Sequence, residues 1–356
     1  MGLAGAGKTT VFNALAQQKV EVGAYTSAEP HRAVVRVPDE RLTKLSEMFI
    51  PLKTTAAEVR YVDVAGAMPG SDVKSSTIVG HLRNADELVH VVRAFENDAF
   101  PHPRGSVDPL RDLQEMNFDL AVADLSIIEK RIERLARELR MGGKTPPNSP
   151  LWRELELLEM FKPALENGGA IRDFELAESD HKMLRAYGFL TEKPMLVLLN
   201  TGDDVTSSAS AEEAIRASLT GKAVVVASLA GRLEMELGEL EPEERAEFMT
   251  DLGITELGLG RIISLSYQLL NLISFFTAGE DECRAWTVRR DAPATEAASA
   301  IHSDIARGFI RAEVVRYEDL MSTRGLLEAR KAGVLRSEGK TYAVQDGDVI
   351  NFLFNV

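Results

Sequence analysis

Along the chain, short runs dense in Val, Leu and Ile alternate with longer stretches in which apolar residues recur every three or four positions. "AVVRVP", "EVRYVDVAG", "ELVHVVRAF", "KPMLVLLN" and "KAVVVAS", beginning at residues 33, 58, 87, 193 and 222, read as buried strands of an α/β sheet. Between the third and the fourth the period changes. "FDLAVADLSIIEKRIERLARELR" sets Leu125, Ile128, Ile132, Leu135 and Leu139 at steps of 3, 4, 3 and 4, the seam of a coiled coil. "GGKTPPNSP" ends that helix, and "LWRELELLEMFKPAL" carries Leu151, Leu155, Leu158 and Leu165 on one stripe. An antiparallel helical hairpin projecting from a sequence-split sheet is therefore predicted, with a helical subdomain packed flat on the core as the alternative. Past Phe276 the runs "CRAWTVRR", "FIRAEVVRY" and "TYAVQDGDVINFLFNV" predict strands separated by Gly/Asp turns, with one helix at Leu326 to Ala332. That is a small mixed domain of about 80 residues.

With 356 residues, 45% of them hydrophobic and 27% charged, the chain has the balance of a globular protein of two or three domains. A single cysteine, Cys283, excludes an internal disulfide framework and suits a reducing compartment, where it reads as a small buried hydrophobe. The longest apolar run, "IISLSYQLLNLISFF", is short for a bilayer and interrupted by Ser, Gln and Asn. No signal peptide precedes the first motif, so a cytoplasmic protein without membrane contact is expected. A net charge of −14, taken alone, argues against nucleic acid, and no DNA is expected. Its distribution is uneven: residues 200–258 hold 13 acidic against 4 basic residues, whereas 129–144 hold 6 basic against 3 acidic. The second stretch leaves Lys130, Arg131, Arg134 and Arg137 as a basic face for RNA, or simply a solvated one.

The chemistry starts at the first residues, "MGLAGAGKTTVFNALAQQ". Gly2, Gly7, Lys8 and Thr9 satisfy G-x-x-x-x-G-K-[ST], in which successive backbone N–H groups close around nucleotide phosphates. The binding set expected from it is Gly2, Leu3, Ala4, Gly5, Ala6, Gly7, Lys8, Thr9 and Thr10, with Lys8 reaching the β/γ-phosphates and the Thr9 hydroxyl on Mg²⁺. Val11, Phe12 and Leu15 continue as a helix, which adds its N-terminus to the anion site. Such a loop is normally held by a strand in front of it. Opening at Met1, it leads to the expectation of a start site placed too late and, as the sequence stands, of a sheet short of one strand, with lower stability and weaker nucleotide binding.

"VDVAG" supplies the D-x-x-G that holds Mg²⁺ through water with Asp63 and meets the γ-phosphate with the Gly66 N–H. "LLNTGD" supplies N-x-x-D with Asn200 and Asp203, where GTPases read the base edge, and Thr201 stands in place of the usual lysine. Phosphate loop, D-x-x-G and N-x-x-D, each beside a strand-like run and in this order, point to a switch of the GTPase class. Ala67 follows Gly66 where a glutamine often orients the attacking water, so hydrolysis is expected to be slow or assisted from elsewhere. A small-molecule phosphotransferase and a binding module that has lost hydrolysis share the same loop and stay open as alternatives.

"GLAGAGKTTVFNAL", "VPDERL", "VDVAG", "HVVRAFEND", "VDPLRDL", "LISFFTAG", "RAWTVRR", "RGFIRAEVVRYEDL" and "YAVQDGDVINFLFNV" together resemble the Obg-like ATPase (YchF) family over essentially the whole chain. The resemblance implies a P-loop NTPase domain, with a mostly parallel sheet, in 1–118 and 186–277. It also implies an inserted coiled-coil arm in 119–185 and a TGS-like β-grasp domain in 278–356. It implies an ATPase, often also GTP-binding, that requires Mg²⁺ and associates with ribosomes. A loop histidine that assists hydrolysis corresponds to His102, while His90, inside its strand, reads as structural. Ala230 and Gly231, with Arg232, stand where the family contacts the purine; Ser27 or Thr26 of "YTSAEPH" supplies a further Mg²⁺ ligand. Gly5 replaces the family's usual Asn and Asp203 its usual Glu.

Overall fold

A computed structural model describes residues 1–16, 30–64, 76–141, 146, 149–202, 209–219, 221, 223–252, 254 and 257–355. In chain order its elements are α1 (Lys8–Ala16), β1 (His31–Arg36), α2 (Glu40–Phe49), β2 (Lys53–Thr55), β3 (Glu58–Asp63), α3 (Ser76–Asn84), β4 (Leu88–Ala94), α4 (Pro109–Met141), α5 (Pro150–Glu166), α6 (Glu178–Leu184), β5 (Met195–Thr201), α7 (Ala209–Ser218) and β6 (Val224–Leu229). They continue with α8 (Gly231–Glu239), α9 (Pro242–Asp251), α10 (Gly258–Leu269), β7 (Leu272–Ala278), β8 (Glu282–Arg289), α11 (Ala294–Ile301), α12 (Ser303–Arg307), β9 (Phe309–Arg316), α13 (Tyr317–Thr323), α14 (Leu326–Lys331), β10 (Arg336–Glu338) and β11 (Asp348–Phe354). By Cα proximity the chain divides into one unit of Met1–Arg32 with Val62–Leu259 and a second of Ala33–Tyr61 with Gly260–Val356. This is a different partition from the three parts expected above: the hairpin is not split off, and 33–61 falls with the C-terminal residues.

In the first unit β4, β5 and β6 form a parallel sheet, with Leu88 opposite Met195, Ala94 opposite Thr201, and Met195 opposite Val224. All seven residues of β5 are buried, as expected for a central parallel strand covered on both faces. Met1 lies along the edge of β4: its N donates to Val89 O at 2.8 Å and its O accepts from Val91 N at 2.9 Å, the pattern of a parallel ladder. The strands β1 and β3 pair as a separate two-stranded sheet. They are half-buried instead of buried, with Val34 52% and Val62 41% exposed. Their valines report β-propensity, which a ribbon with one covered face satisfies as well as a core strand does.

The hairpin of α4 and α5 keeps a core of its own, in which Ile128, Leu135, Leu157, Leu158 and Phe161 are fully buried. Leu125 and Ile132 are partly buried beside them, as the 3-4 spacing predicts. On α5 the buried stripe is Glu154, Leu157, Leu158, Phe161 and Leu165; Leu151 and Leu155 lie at its rim. Ser149 accepts from Leu151 N and Pro150 takes the first helical position, which starts α5 where the breaker ended α4. Ile171, Leu184 and Phe189, from the segment after α5, complete the cluster, so the base of the hairpin is more than two helices thick. At that base Asp124 is fully buried and accepts from Arg83 Nη1, Leu190 N, Thr191 N and Thr191 Oγ1 at 2.8–3.1 Å.

The second unit holds a six-stranded sheet in the order β10-β9-β11-β7-β8-β2. The run "IISLSYQLLNLISFF" divides inside it: α10 ends at Leu269, Asn271 takes a left-handed φ of 55°, and β7 begins at Leu272. Ala294, Ala297 and Ala298 of α11 are buried in one cluster with Phe275, Phe309 and Phe352. Small residues there let the helix approach the sheet closely, which leaves the volume to the aromatic rings. Cys283 is buried and free, as expected. Among the described residues no helix is long and apolar enough to cross a membrane.

Candidate functional site

The loop before α1 turns on three glycines with positive φ, Gly2 (145°), Gly5 (75°) and Gly7 (83°). Two of them also lack room for a side chain: a Cβ on Gly2 would stand 2.2 Å from Val91 O, and one on Gly7 2.1 Å from Asn200 Nδ2. The loop therefore lies close against the middle of β4 and the C-terminal end of β5. Lys8 and Thr9, both buried, open α1. Lys8 Nζ donates to Leu3 O at 2.8 Å, which folds the lysine back over its own loop. Burial lowers its pKa to about 8, with the Asp63 carboxylate acting in the opposite direction. Gly2, Leu3 and Ala6 are buried, Ala4, Gly7 and Thr10 half-buried, and Gly5 stands exposed at the mouth.

Thr9 Oγ1 donates to Asp63 Oδ2 at 2.9 Å, so the end of β3 meets the start of α1. A hydroxyl and a carboxylate oxygen side by side suit a hard, oxygen-seeking cation, and Mg²⁺ fits this donor set. Among the described residues no group of three or more His, Cys, Asp or Glu side chains is placed to hold a metal by itself. Ser27, Thr26, Gly66, Ala67 and Asp203, named from the sequence, lie outside the described residues.

Asn200 ties the site together in a way the motif did not reveal. Its Nδ2 donates to Ala6 O at 2.9 Å, and its Oδ1 accepts from Gly231 N at 3.1 Å. One side chain thus links the phosphate loop to the segment Ala230–Gly231 at the start of α8. A Cβ on Gly231 would stand 2.8 Å from that same Oδ1. Thr201, which replaces the usual lysine, is buried and its hydroxyl has no partner among the described residues.

His102 is buried as well. Its Nε2 lies 2.8 Å from Asp112 Oδ2, and its Nδ1 accepts from Arg104 N at 3.2 Å, which assigns the ring proton to Nε2. Both ring nitrogens are engaged within the loop and the first turn of α4. The sequence reading named neither Asp112 nor Arg93, a buried arginine one residue from the end of β4; an Arg inside an otherwise apolar strand was the signal available for the latter. His90 is buried on the same strand, and burial, then the N-terminal ammonium and Lys8, lower its pKa to about 3.

Comparisons with known proteins agree with this geometry. Residues 1–128 match the family model described as 50S ribosome-binding GTPase, and residues 272–355 match YchF-GTPase_C, described as a protein of unknown function. The chain is 40% identical over 364 residues to the "Ribosome-binding ATPase YchF" of Bacillus subtilis (strain 168), covering all of this chain and 98% of that relative. The protein of the same name from Escherichia coli O157:H7 is 38% identical over 361 residues, with the same coverage. The chain belongs to the YchF family. The YchF GTPase structure from Schizosaccharomyces pombe superposes with a TM-score of 0.87 at 28% identity, covering 99% of this chain and 96% of that one. A GTP binding protein from Pyrococcus horikoshii OT3, at 15% identity and a TM-score of 0.62, shares the fold. As a YchF member the chain combines a P-loop GTPase domain with a YchF C-terminal domain.

Proposed function

We propose that this protein binds a purine nucleoside triphosphate with Mg²⁺ and hydrolyses it to diphosphate and phosphate, with ATP as principal substrate and GTP as a second one. The reading rests on one observation above all: Lys8 and Thr9 open α1 with the Thr9 hydroxyl on Asp63, so that two separate motifs meet at one cation-sized oxygen pair. The ATPase and ribosome-binding names of relatives at 38–40% identity support the substrate and the setting. Backbone N–H groups of Gly2 to Thr10 and the Lys8 ammonium hold the phosphates; Thr9, Asp63 and Ser27 hold Mg²⁺, which neutralises charge on the phosphate oxygens when bound. Ala230, Gly231, Asn200 and Asp203 form the purine side. Such a protein would act as a switch that senses, through the motif residues Ser27 and Gly66, whether the terminal phosphate is present.

His102 is the candidate for positioning the attacking water, with its loop first releasing the ring from Asp112. That same pairing favours a second reading, a nucleotide-binding switch with negligible hydrolysis. Single-turnover phosphate release from ATP and GTP by the wild type, Lys8→Ala and His102→Ala distinguishes them. Hydrolysis predicts release by the wild type, with Lys8→Ala weakening nucleotide binding about 100-fold, or about 3 kcal/mol, and His102→Ala slowing release with binding intact. Tight binding without release supports the second reading, and no Mg²⁺-dependent binding at all refutes both.

The state is read out in the cytoplasm on ribosome or RNA by the arm, taken as 119–185, and by the TGS-like β-grasp domain. Lys130, Arg134 and Arg137 are exposed and form the contact we propose. Arg131 is left out of it, because its Nε and Nη2 donate to Glu154 at 2.7 and 2.9 Å. Reversing the three exposed charges should abolish nucleotide-dependent cosedimentation with ribosomes; unchanged binding refutes the contact.

A further inference from the structure

Arg93 is 2% exposed, a guanidinium inside the protein. Its Nε donates to Phe95 O and its Nη1 to Phe100 O, each at 2.9 Å, and its Cζ lies 4.7 Å from the centre of the Phe95 ring. Nη2 is enclosed and has no partner, and the side chain forms no ion pair among the described residues. A buried cation without a counter-charge is unfavourable, and so is a buried N–H group without an acceptor. An anion would relieve both. The adjacent element is built for anions: a Cβ on Gly5 would stand 3.3 Å from Arg93 Nη1, the nearest atom it would meet. Gly5 is also the exposed residue of the loop, so the guanidinium reaches the phosphate loop at its mouth.

We propose that Arg93 is a phosphate-binding residue whose Nη2 donates to a phosphate oxygen of the bound nucleotide on the Gly5 side of the loop. A planar guanidinium with two N–H groups to spare is suited to a phosphate oxygen, and its stacking on Phe95 and two carbonyl bonds hold it ready. The proposal rests on the nucleotide-binding reading above and adds a consequence to it. Arg93 also holds the carbonyl of Phe100, two residues before His102, so one side chain joins the phosphates to the loop that carries the candidate water-positioning residue.

The test uses the full chain and Mg²⁺ with non-hydrolysable ATP and GTP analogues, on the wild type, Arg93→Ala, Arg93→Lys and Lys8→Ala, with Tm measured for each. Arg93→Ala is expected to bind the analogue about 10- to 100-fold more weakly, the worth of one charge-assisted hydrogen bond. Arg93→Lys should recover part of the loss, and millimolar guanidinium should restore binding to Arg93→Ala without changing its Tm. A guanidinium that only staples the 95–100 loop would lower Tm and leave affinity within threefold, with no rescue, which overturns the proposal. If Arg93→Ala does not fold, arginine side-chain ¹⁵N spectra of the wild type decide: one guanidinium resonance lost in Arg93→Lys must shift on adding the analogue, and an unmoved one overturns it. Should the wild type itself bind no triphosphate, the nucleotide reading fails first; binding that depends on Lys8 but not on Arg93 defeats this inference alone.

Discussion

At the base of the hairpin Asp124 receives four hydrogen bonds, one of them from an arginine, whereas around the phosphate loop Arg93 Nη2, His90 Nδ1 and Thr201 Oγ1 are buried with no partner among the described residues. The helices repeat the first pattern: Glu154 accepts from Arg131 and from the Tyr187 hydroxyl. Burial raises the Glu154 pKa, and those two bonds more than offset it, so the carboxyl stays below its ordinary range. Burial and then the Glu154 carboxylate push Tyr187 up to about 12. Asp124 and Glu154 thus have their charge compensated within the fold, whereas Arg93 does not. Satisfied buried charge serves the fold, while unsatisfied buried charge marks where a ligand completes the structure.

The contrast breaks most severely at Asp124. Asp124→Ala leaves Arg83 without its counter-charge, and two backbone N–H groups and the Thr191 hydroxyl without their acceptor, and denaturant unfolding should show a loss of about 3–5 kcal/mol. Nucleotide affinity of the folded fraction should be unchanged; equal losses of stability and affinity would show that the two regions are not separable. Arg131→Ala should cost about 1.5–3 kcal/mol, while the double change Arg131→Met with Glu154→Leu should cost less in the same assay, the remaining loss being that of the Tyr187 hydroxyl, which bonds to both side chains. A double variant as unstable as the single one would mean the pair contributes more than its own compensation.

The contrast also shows in pH dependence. His90 has an ordinary pKa of 6.5 and one of about 3 in the folded chain, where burial holds it neutral. The unfolded chain therefore binds the proton first, so stability falls as pH drops below 6.5 and the contribution is lost by about 3. His90→Gln removes that titration, and the difference between wild-type and variant unfolding free energies should grow steadily over this window. A difference flat with pH would show that His90 titrates normally.

Much of this was legible from residue spacing. The 3-4 repeat of Ile128 and Leu135 gave the hairpin seam because a helix returns to one face every 3.6 residues, whatever it packs against. The glycine pattern gave the loop, since positive φ at Gly2, Gly5 and Gly7 is a local demand. Leu157 and Phe161 were missed as the buried stripe of α5, because which arc of an apolar helix is covered depends on its neighbours. The valines of β1 and β3 announced strands but not how many of their faces were covered. Asn200 was legible as part of a base-reading motif, yet its bonds to Ala6 and Gly231 cross 194 and 31 residues of chain.

By itself, then, the sequence determined what single segments can do: which bend around a phosphate, which coil, which lie extended. Backbone preference and side-chain period act over a few residues, so they are written locally. Only the tertiary structure decided which charges are compensated, pairing Arg131 with Glu154, enclosing His102 against Asp112 and leaving Arg93 against Gly5 with two N–H groups to spare. Compensation depends on distance and burial, which are properties of the folded chain.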